Sequence, residues 1–363
     1  MVRAVSGRSS STARSGELCP ASGGRIECEI RIKMSDPSQP ISYTFEVPSR
    51  PEVLVVPHRA QRPYWLHLLL LLLTMATTLV VGAQLYDNFR HGLPAFTLGN
   101  ELMPLFHPKW IWQRPARLLM GIPFSASLMA ILLAHELGHF LYCEKYRVNA
   151  TLPFFIPAPT LIGTMGAFIR IKSRIHTRKE LFDIGVAGPI AGFVVALPLL
   201  MLGLALSTPM APVIGRESID VGFPLVFHLA HWMLVPASGN AVPLSRLALH
   251  PVAVAAWVGM FATALNLLPG GQLDGGHIIY SVAPRAHRWV TWVTVGLLAL
   301  LSSVWIGWLV WAAILGVTGW RHPAVPVWPD LGPARRRLAI VPVALLVLTF
   351  VPAPILGQGW LSR

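Results

Sequence analysis

Residues 118–142 read LLMGIPFSASLMAILLAHELGHFLY, an apolar stretch in which the only acidic or imidazole side chains are His135, Glu136 and His139. At about 1.5 Å per residue, a helix of this length exceeds the roughly 30 Å hydrocarbon core of a bilayer. Ionisable groups are costly in lipid unless they have partners. The stretch therefore predicts a transmembrane helix that carries a polar site into the membrane.

The sequence His135-Glu136-Leu137-Gly138-His139 puts two imidazoles on one helix face. Successive helical residues rotate by about 100°, so the two histidines lie about 40° apart and one turn apart. Such a pair can bind one metal ion. Glu136, about 100° round from His135, is better placed to face a water at that ion than to bind it. A structural, hydrogen-bonded His/Glu cluster is the alternative.

A later apolar stretch, 252–268, is interrupted by Pro269-Gly270-Gly271 and resumes over 273–282. A broken helix at membrane depth is tolerated only inside the protein or beside a wet cavity. Asp274, just after the break, is the candidate third ligand, because catalytic zinc takes three protein ligands and a water. The alternative is an ordinary extramembrane turn in which Asp274 caps a helix.

Asn266 and His277 flank this break. The amide of Asn266 can stabilise a developing oxyanion or hold the substrate backbone, and it can equally bond the carbonyl groups freed by the broken helix. His277 is expected to support the site rather than to bind the metal itself.

Composition places the chain in a membrane. It is 54% hydrophobic and 12% charged, against about 25% charged residues in soluble domains. Further apolar stretches at 64–83, 181–206, 290–317 and 338–356 predict an all-α integral membrane protein with about six transmembrane helices. Gly185, Gly188 and Gly192 in the third span allow close helix contact.

The expected organisation has a disordered N-terminal arm at 1–60, rich in Ser, Gly, Pro and Arg. A polytopic membrane domain follows over 61–357, and 207–246 forms an extramembrane or interfacial loop within it. Three scattered cysteines exclude a disulfide framework.

Basic residues alternate between the loops. Lys and Arg together number nine in 1–63, three in 85–116, seven in 143–180 and two in 207–246. Because cytoplasmic loops are enriched in basic residues, the N-terminus is expected in the cytoplasm. Arg321, Arg335, Arg336 and Arg337 break this pattern on a six-span count. Either the count is off by one near the C-terminus or the bias is weak there.

The segment between spans two and three includes Leu152 to Pro159 and Gly163 to Ile171. Extended, partly embedded segments of this kind can offer an unpaired strand edge to an unwound substrate. An amphipathic loop on the lipid surface is the alternative.

These motifs resemble the site-2 protease family of intramembrane zinc metalloproteases, which is peptidase M50-like, and are most similar to its EGY-type branch. The resemblance rests on HELGH at 135–139, on N-x-x-P-x-G-x-L-D-G-G at 266–276, and on the stretches 163–167 and 182–189, and it covers about 115–285. It implies a three-helix catalytic core with a small β or extended segment. It also implies one Zn²⁺ held by His135, His139 and Asp274, and Glu136 as general base.

The resemblance further supports a substrate-binding role for Gly163, Thr164, Gly166 and Ala167. Asn266 is the second expected catalytic residue, on the argument from its amide given above. The expected function is hydrolysis of transmembrane or membrane-anchored proteins in or near the bilayer. A catalytically silent membrane adaptor and a metal transporter are the alternatives. No nucleic-acid motif accompanies the net charge of +13, and nucleic acid is not an expected partner. The predominance of Arg over Lys favours a bacterial inner membrane, and the oligomeric state is left open.

Overall fold

The structure is a computed structural model that describes residues 64–97, 114–210, 218–238, 242–319, 325 and 330–357. The arm expected at 1–60 lies outside these residues. The helices of the described part are α1 (Trp65–Arg90), α2 (Ile122–Lys145), α3 (Arg178–Ala205), α4 (Leu225–Ser238), α5 (Pro251–Asn266), α6 (Asp274–Val282), α7 (His287–Leu301), α8 (Gly307–Thr318), α9 (Pro333–Leu338) and α10 (Ile340–Thr349).

Short antiparallel strand pairs connect the helices. The strands of the described part are β1 (Phe96–Thr97), β2 (Phe154–Pro157), β3 (Thr164–Phe168), β4 (Thr208–Pro209), β5 (Ser218–Ile219) and β6 (Leu247–Ala248). They pair as β1 with β5, β2 with β3 and β4 with β6. The small extended segment expected between spans two and three is therefore present as the β2–β3 hairpin.

Three helices are long and apolar enough to cross a bilayer: α1, α2 with the 3₁₀ turn that precedes it (Pro115–Lys145 together), and α3. The chain is accordingly a mostly helical membrane protein. The loop expected at 207–246 also contains a helix, α4, whose Val226 and Phe227 are buried. Parts of that loop, 211–217 and 239–241, lie outside the described residues.

The single span expected over 290–317 is wrong, because the chain forms two helices there, α7 and α8. Ser302 ends α7 and its hydroxyl donates to the Ala299 carbonyl at 2.6 Å. The indole N–H of Trp308, at the start of α8, donates to the Pro352 carbonyl at 2.6 Å. A turn flanked by these bonds replaces the middle of the expected helix, and hydropathy alone does not reveal it.

The last expected span, 338–356, is also shorter than anticipated. Its helix, α10, ends at Thr349 after ten residues, which is about 15 Å of helix. Pro352 and Pro354 disfavour helical conformation at the residues before them. The chain continues extended instead, and Ile355 pairs with Val221.

The helix break after Asn266 is confirmed. Seven residues separate the end of α5 from the start of α6. Side chains of α7 satisfy the freed backbone groups: the Gly271 N–H donates to Thr291 at 3.3 Å, and Thr294 donates to the Pro269 carbonyl at 3.0 Å. These bonds explain how an irregular segment is stable among apolar helices.

Close packing joins α2, α3 and α5. A Cβ at Gly203 would overlap the backbone of Ala253 in α5, and one at Gly259 would lie 2.6 Å from Ile131 in α2. Fully buried Leu128, Leu200 and Met260 form part of the core that the three helices share. These contacts hold the broken helix against the helix that carries the HELGH sequence.

The segment after α2, the start of α3 and the short helix α9 meet at the end of the bundle where α3 begins. The carboxylate of Asp183 accepts two hydrogen bonds from Arg335, both 2.8 Å long, and a third from the Tyr146 hydroxyl. These hydrogen bonds from Arg335 to Asp183 raise the pKa of the Arg335 guanidinium further above its usual range. Arg335 therefore lies at the same end as the basic loop 143–180.

The position of Arg335 at the basic end bears on why the C-terminal arginines break the alternation of basic loops. It favours a span count that is off by one over a weak charge bias. Because α7 and α8 double back, Gly319 at the end of α8 lies against Thr291 near the start of α7. The helix pair adds one more reversal than a single helix would, and it returns Arg335, Arg336 and Arg337 to the basic end.

Candidate metal centre

His135, His139 and Asp274 form the only group of three or more potential metal-binding side chains found among the described residues. One donor atom from each lies within 4.8 Å of the others. The Nε2 atoms of both histidines lie 3.2 Å from Oδ2 of Asp274. Residues 139 positions apart in the sequence therefore meet at one point.

The imidazole of His139 is fixed in orientation by the neighbouring helix. Its Nδ1 lies 2.7 Å from the carbonyl oxygen of Ile184 in α3, and this nitrogen therefore carries the proton that it donates. The tautomer leaves the lone pair of Nε2 directed at Asp274. A backbone carbonyl thus decides which nitrogen can bind a metal.

Two glycines of α3 make room for the histidine rings. A Cβ on Gly188 would overlap the imidazole of His139, and one on Gly192 would lie 3.2 Å from Nδ1 of His135. The glycine spacing predicted close helix contact, and the contact is with the two histidines themselves. Gly185, one turn earlier, has its nearest such contact at 3.4 Å.

Asp274 is the first residue of α6. A Cβ at Gly275 would overlap the carbonyl of Leu267, so the loop after α5 folds tightly against the first turn of α6. This turn presents the carboxylate inward to the histidines. The helix cap weighed as the alternative is not observed, because α6 has Leu273 as its N-cap and no side-chain capping bond.

Glu136 is buried beside this group but is not one of its three members. Its carboxylate lies beside the backbone of Ile169, which follows strand β3. The hairpin and the HELGH helix therefore meet at this carboxylate.

Asn266, the last residue of α5, has its side-chain amide 3.3 Å from Nε2 of His135. Because α7 bonds the freed backbone groups at Pro269 and Gly271, the amide is directed at the metal group instead. His277 lines a cavity that also contains His135, His139 and Asp274, but it is not one of the three members of the metal group.

The four hairpin positions expected to bind substrate differ in their surroundings. Gly163 has φ +78° and its carbonyl accepts a 2.6 Å hydrogen bond from Thr77, so it packs on α1. Thr164 is buried and donates to Ile156. Gly166 has φ +100° with open space around it, and Ala167 lines the cavity that contains the metal group.

That cavity has a volume of about 220 Å³. Its wall brings together all three members of the metal group, Glu136 and Asn266, with Ala167, Phe168 and Ile169 from the hairpin. Sequence reasoning missed the carbonyl of Ile184 and the backbone of Ile169. Backbone groups carry no side-chain signal, so only the fold reveals them.

The donor set fits zinc. Two imidazole nitrogens and one carboxylate oxygen are a ligand set that catalytic zinc sites use, with a further position left for water. Tetrahedral ligands at about 2.0 Å from zinc lie about 3.3 Å from one another, close to the 3.2 Å separations of Asp274 from each histidine.

Comparison with known proteins gives a family. Residues 123–303 match the model described as peptidase family M50. The chain is 31% identical over 238 residues to the probable zinc metalloprotease EGY1, chloroplastic, of Oryza sativa subsp. japonica, covering 64% of this chain and 41% of that protein. It is 36% identical over 165 residues to the probable zinc metalloprotease EGY1, chloroplastic, of Arabidopsis thaliana, covering 44% of this chain and 29% of that protein.

A third relative, the probable zinc metalloprotease EGY2, chloroplastic, of Arabidopsis thaliana, is 33% identical over 164 residues. This match covers 45% of this chain and 29% of that protein. The matched region thus spans less than half the length of each of these relatives. The family match, 123–303, includes the hairpin and also the HELGH helix and the broken helix, which carry the metal group. On this match and these relatives, the chain belongs to peptidase family M50 and has an EGY-like sequence.

Proposed function

We propose that this protein is an intramembrane zinc metalloendopeptidase that hydrolyses peptide bonds of transmembrane or membrane-anchored proteins within or near the bilayer. The observation that carries the proposal is the meeting of His135, His139 and Asp274 at the break of an apolar helix. Family membership and the names of the relatives, probable zinc metalloproteases, agree with it. The catalytic core comprises α2, α3 and the broken pair α5–α6.

The three side chains would hold one zinc ion per chain. When bound, zinc supplies a Lewis acid that polarises a peptide carbonyl and makes water more acidic. Nδ1 of His139 stays bonded to the Ile184 carbonyl, which keeps Nε2 available to the ion. Asp274 adds the negative charge that compensates the cation.

Glu136 would act as general base and then as general acid. Its carboxylate takes a proton from the attacking water and delivers that proton to the leaving amine. The backbone of Ile169 lies beside this carboxylate, and both residues line the metal cavity. The amide of Asn266 would stabilise the negative charge that develops on the peptide oxygen.

A transmembrane helix must unwind before it can be cut, because its carbonyl groups are already hydrogen-bonded. The β2–β3 hairpin would hold the unwound segment. Its strand β3 pairs with β2 alone in the part of the chain that the structure describes, and residues 167–169 border the metal cavity. Small or helix-breaking residues near the cut are the expected preference.

Membrane setting and topology follow as predictions. Of the six expected crossings, the fifth is replaced by the α7–α8 reversal, and the others stay predictions to be compared with three long helices and several shorter ones. A bacterial inner membrane with a cytoplasmic N-terminus is favoured by the charge pattern and by the high Arg content, whereas the relatives named above are chloroplastic.

Glu136→Gln is the experiment that tests this function. Gln keeps the size of the side chain but cannot accept the proton, so we expect cleavage of a membrane substrate to fall at least 10²-fold while zinc stays bound. Purified protein in liposomes, assayed by gel shift of a single-span substrate and by metal analysis, gives both readings. Undiminished cleavage would remove Glu136 as the base. A cellular phenotype restored by the Gln variant would favour the adaptor instead.

A further inference from the structure

A second cavity, of about 470 Å³, borders the β2–β3 hairpin. The hairpin residues that line it precede, in the chain, those that line the metal cavity. Aromatic side chains form much of its wall: Phe96, Trp257, Phe261, Trp305 and Trp311. None of the described residues that line it carries a charge. The cavity therefore suits an apolar guest.

The two cavities adjoin through three structural elements that line both. On α2, Leu132 lines the apolar cavity and His135, one turn later, lines the metal cavity. On α5, Leu265 lines the apolar cavity and the next residue, Asn266, lines the metal cavity. A chain bound at the metal group is thus within a few residues of the apolar cavity.

Strand β3 runs along both cavities. Thr164, Met165 and Gly166 line the apolar cavity, and Ala167 and Phe168 line the metal cavity. An extended peptide rises about 3.3 Å per residue and directs alternate side chains to opposite faces. A peptide lying beside β3 with its scissile bond at the metal group would therefore turn side chains a few positions away into the apolar cavity.

We infer that the apolar cavity receives large apolar side chains of the unwound substrate, a few residues from the bond that is cut. The inference rests on the proposed function and adds a specificity to it. A volume of about 470 Å³ lies within the range of about 300–1,000 Å³ that encloses small ligands. The cavity therefore has room for one or two large side chains and none for a whole helix.

A lipid acyl chain is the competing guest. The position of the cavity favours peptide, because its lining is continuous with the metal cavity along β3, α2 and α5. Apolar side chains gain little by leaving lipid for an apolar cavity, so the benefit comes from packing and from fixing the peptide register. Specificity on the order of tenfold is the scale that apolar pockets give.

Ala262→Phe tests the inference by filling the cavity from α5, since Ala262 lines it. Its matched control is Ala313→Phe on the exposed face of α8, outside the lining. The assay uses purified protein in liposomes and a panel of single-span substrates. Each substrate carries Ala, Leu or Phe at one of the positions on either side of the mapped cleavage site.

The unaltered protein and Ala313→Phe should cleave the Leu or Phe substrate roughly tenfold faster than the Ala substrate at one position. In Ala262→Phe this ratio should fall to about twofold or less. A ratio that stays unchanged in Ala262→Phe would overturn the inference. Because it is a ratio between substrates, the readout is independent of how much folded enzyme each variant yields.

A crosslinking experiment tests the inference without cleavage. A photoreactive benzophenone side chain replaces Met165, which is 67% exposed and lines the cavity, in protein that also carries Glu136→Gln. Irradiation with a single-span substrate should give a substrate adduct at 165 and none from the same group at position 313. Adducts with lipid alone would overturn the inference. If the unaltered enzyme cleaves nothing, the proposed function fails separately, and the crosslink still decides occupancy.

Discussion

Gly188 lies against the ring of His139, so closely that any side chain at this position would overlap the imidazole. The same ring is held by the Ile184 carbonyl at 2.7 Å. Helix α3, which supplies no member of the metal group, therefore determines where that imidazole lies. The site depends on residues that do no chemistry.

Gly188→Ala should displace His139 and reduce zinc occupancy at least tenfold, within the range seen when groups supporting a metal ligand are altered. Gly185→Ala is the matched control, because it makes the same substitution one turn away where the nearest contact is 3.4 Å. Zinc content of the two purified variants, measured by elemental mass spectrometry, checks this. Equal zinc in both would mean that the helix contact does not position the ring.

At this scale the sequence predicts side chains well and backbone groups poorly. The spacing of His135 and His139 follows from helix geometry, and Asp274 stands out as a carboxylate beside a break in an apolar helix. The carbonyl of Ile184 and the backbone of Ile169 beside Glu136 have no such signal. Any residue type offers the same backbone groups, so their roles emerge only from the fold.

The broken pair α5–α6 is the element on which the site depends. Its loop is held by α7, since the Gly271 N–H bonds to Thr291 and the Gly271 carbonyl to His287. The Pro-Gly-Gly sequence predicted the break correctly. It did not predict which element would bond the freed groups, because Thr291 and His287 look like ordinary residues of an apolar helix.

Thr291→Val should lower the free energy of unfolding by roughly 1 kcal/mol, because the buried Gly271 N–H loses its acceptor. Thr349→Val is a matched control: Thr349 is also buried in a helix and its hydroxyl donates to a carbonyl four residues earlier. Denaturant unfolding in detergent compares the two variants. A greater loss for Thr349→Val than for Thr291→Val would show that the loop does not depend on α7.

The helices that the structure describes have two ends that differ in charge. The basic end contains the loop 143–180. Here Tyr146 and Arg335 of α9 both donate hydrogen bonds to Asp183 of α3. The other end contains the β1–β5 and β4–β6 pairs. Among the described residues, the alternation of Lys and Arg in the sequence agrees with this division for the loop 143–180, and it failed after 285 because the α7–α8 reversal leaves no break in hydropathy.

Single cysteines test this arrangement after the three natural cysteines are replaced. Cysteines at the exposed positions Arg174 and Arg337 should react with a membrane-impermeant thiol reagent from the same side of sealed vesicles, and one at Ser245 from the other side. Labelling followed by mass spectrometry gives the side for each. If Arg337 were labelled together with Ser245, the α7–α8 pair would not reverse the chain as described.

We expect His135, His139 and Asp274 to hold one zinc ion at the break of a membrane helix. Anomalous diffraction from crystals of the purified protein, recorded on both sides of the zinc absorption edge, checks this assignment. One peak per chain should appear, about 2.0–2.2 Å from Nε2 of both histidines and from a carboxylate oxygen of Asp274. A zinc peak bound by other side chains, or these three residues with no zinc in a protein that cleaves its substrate, would rule the assignment out.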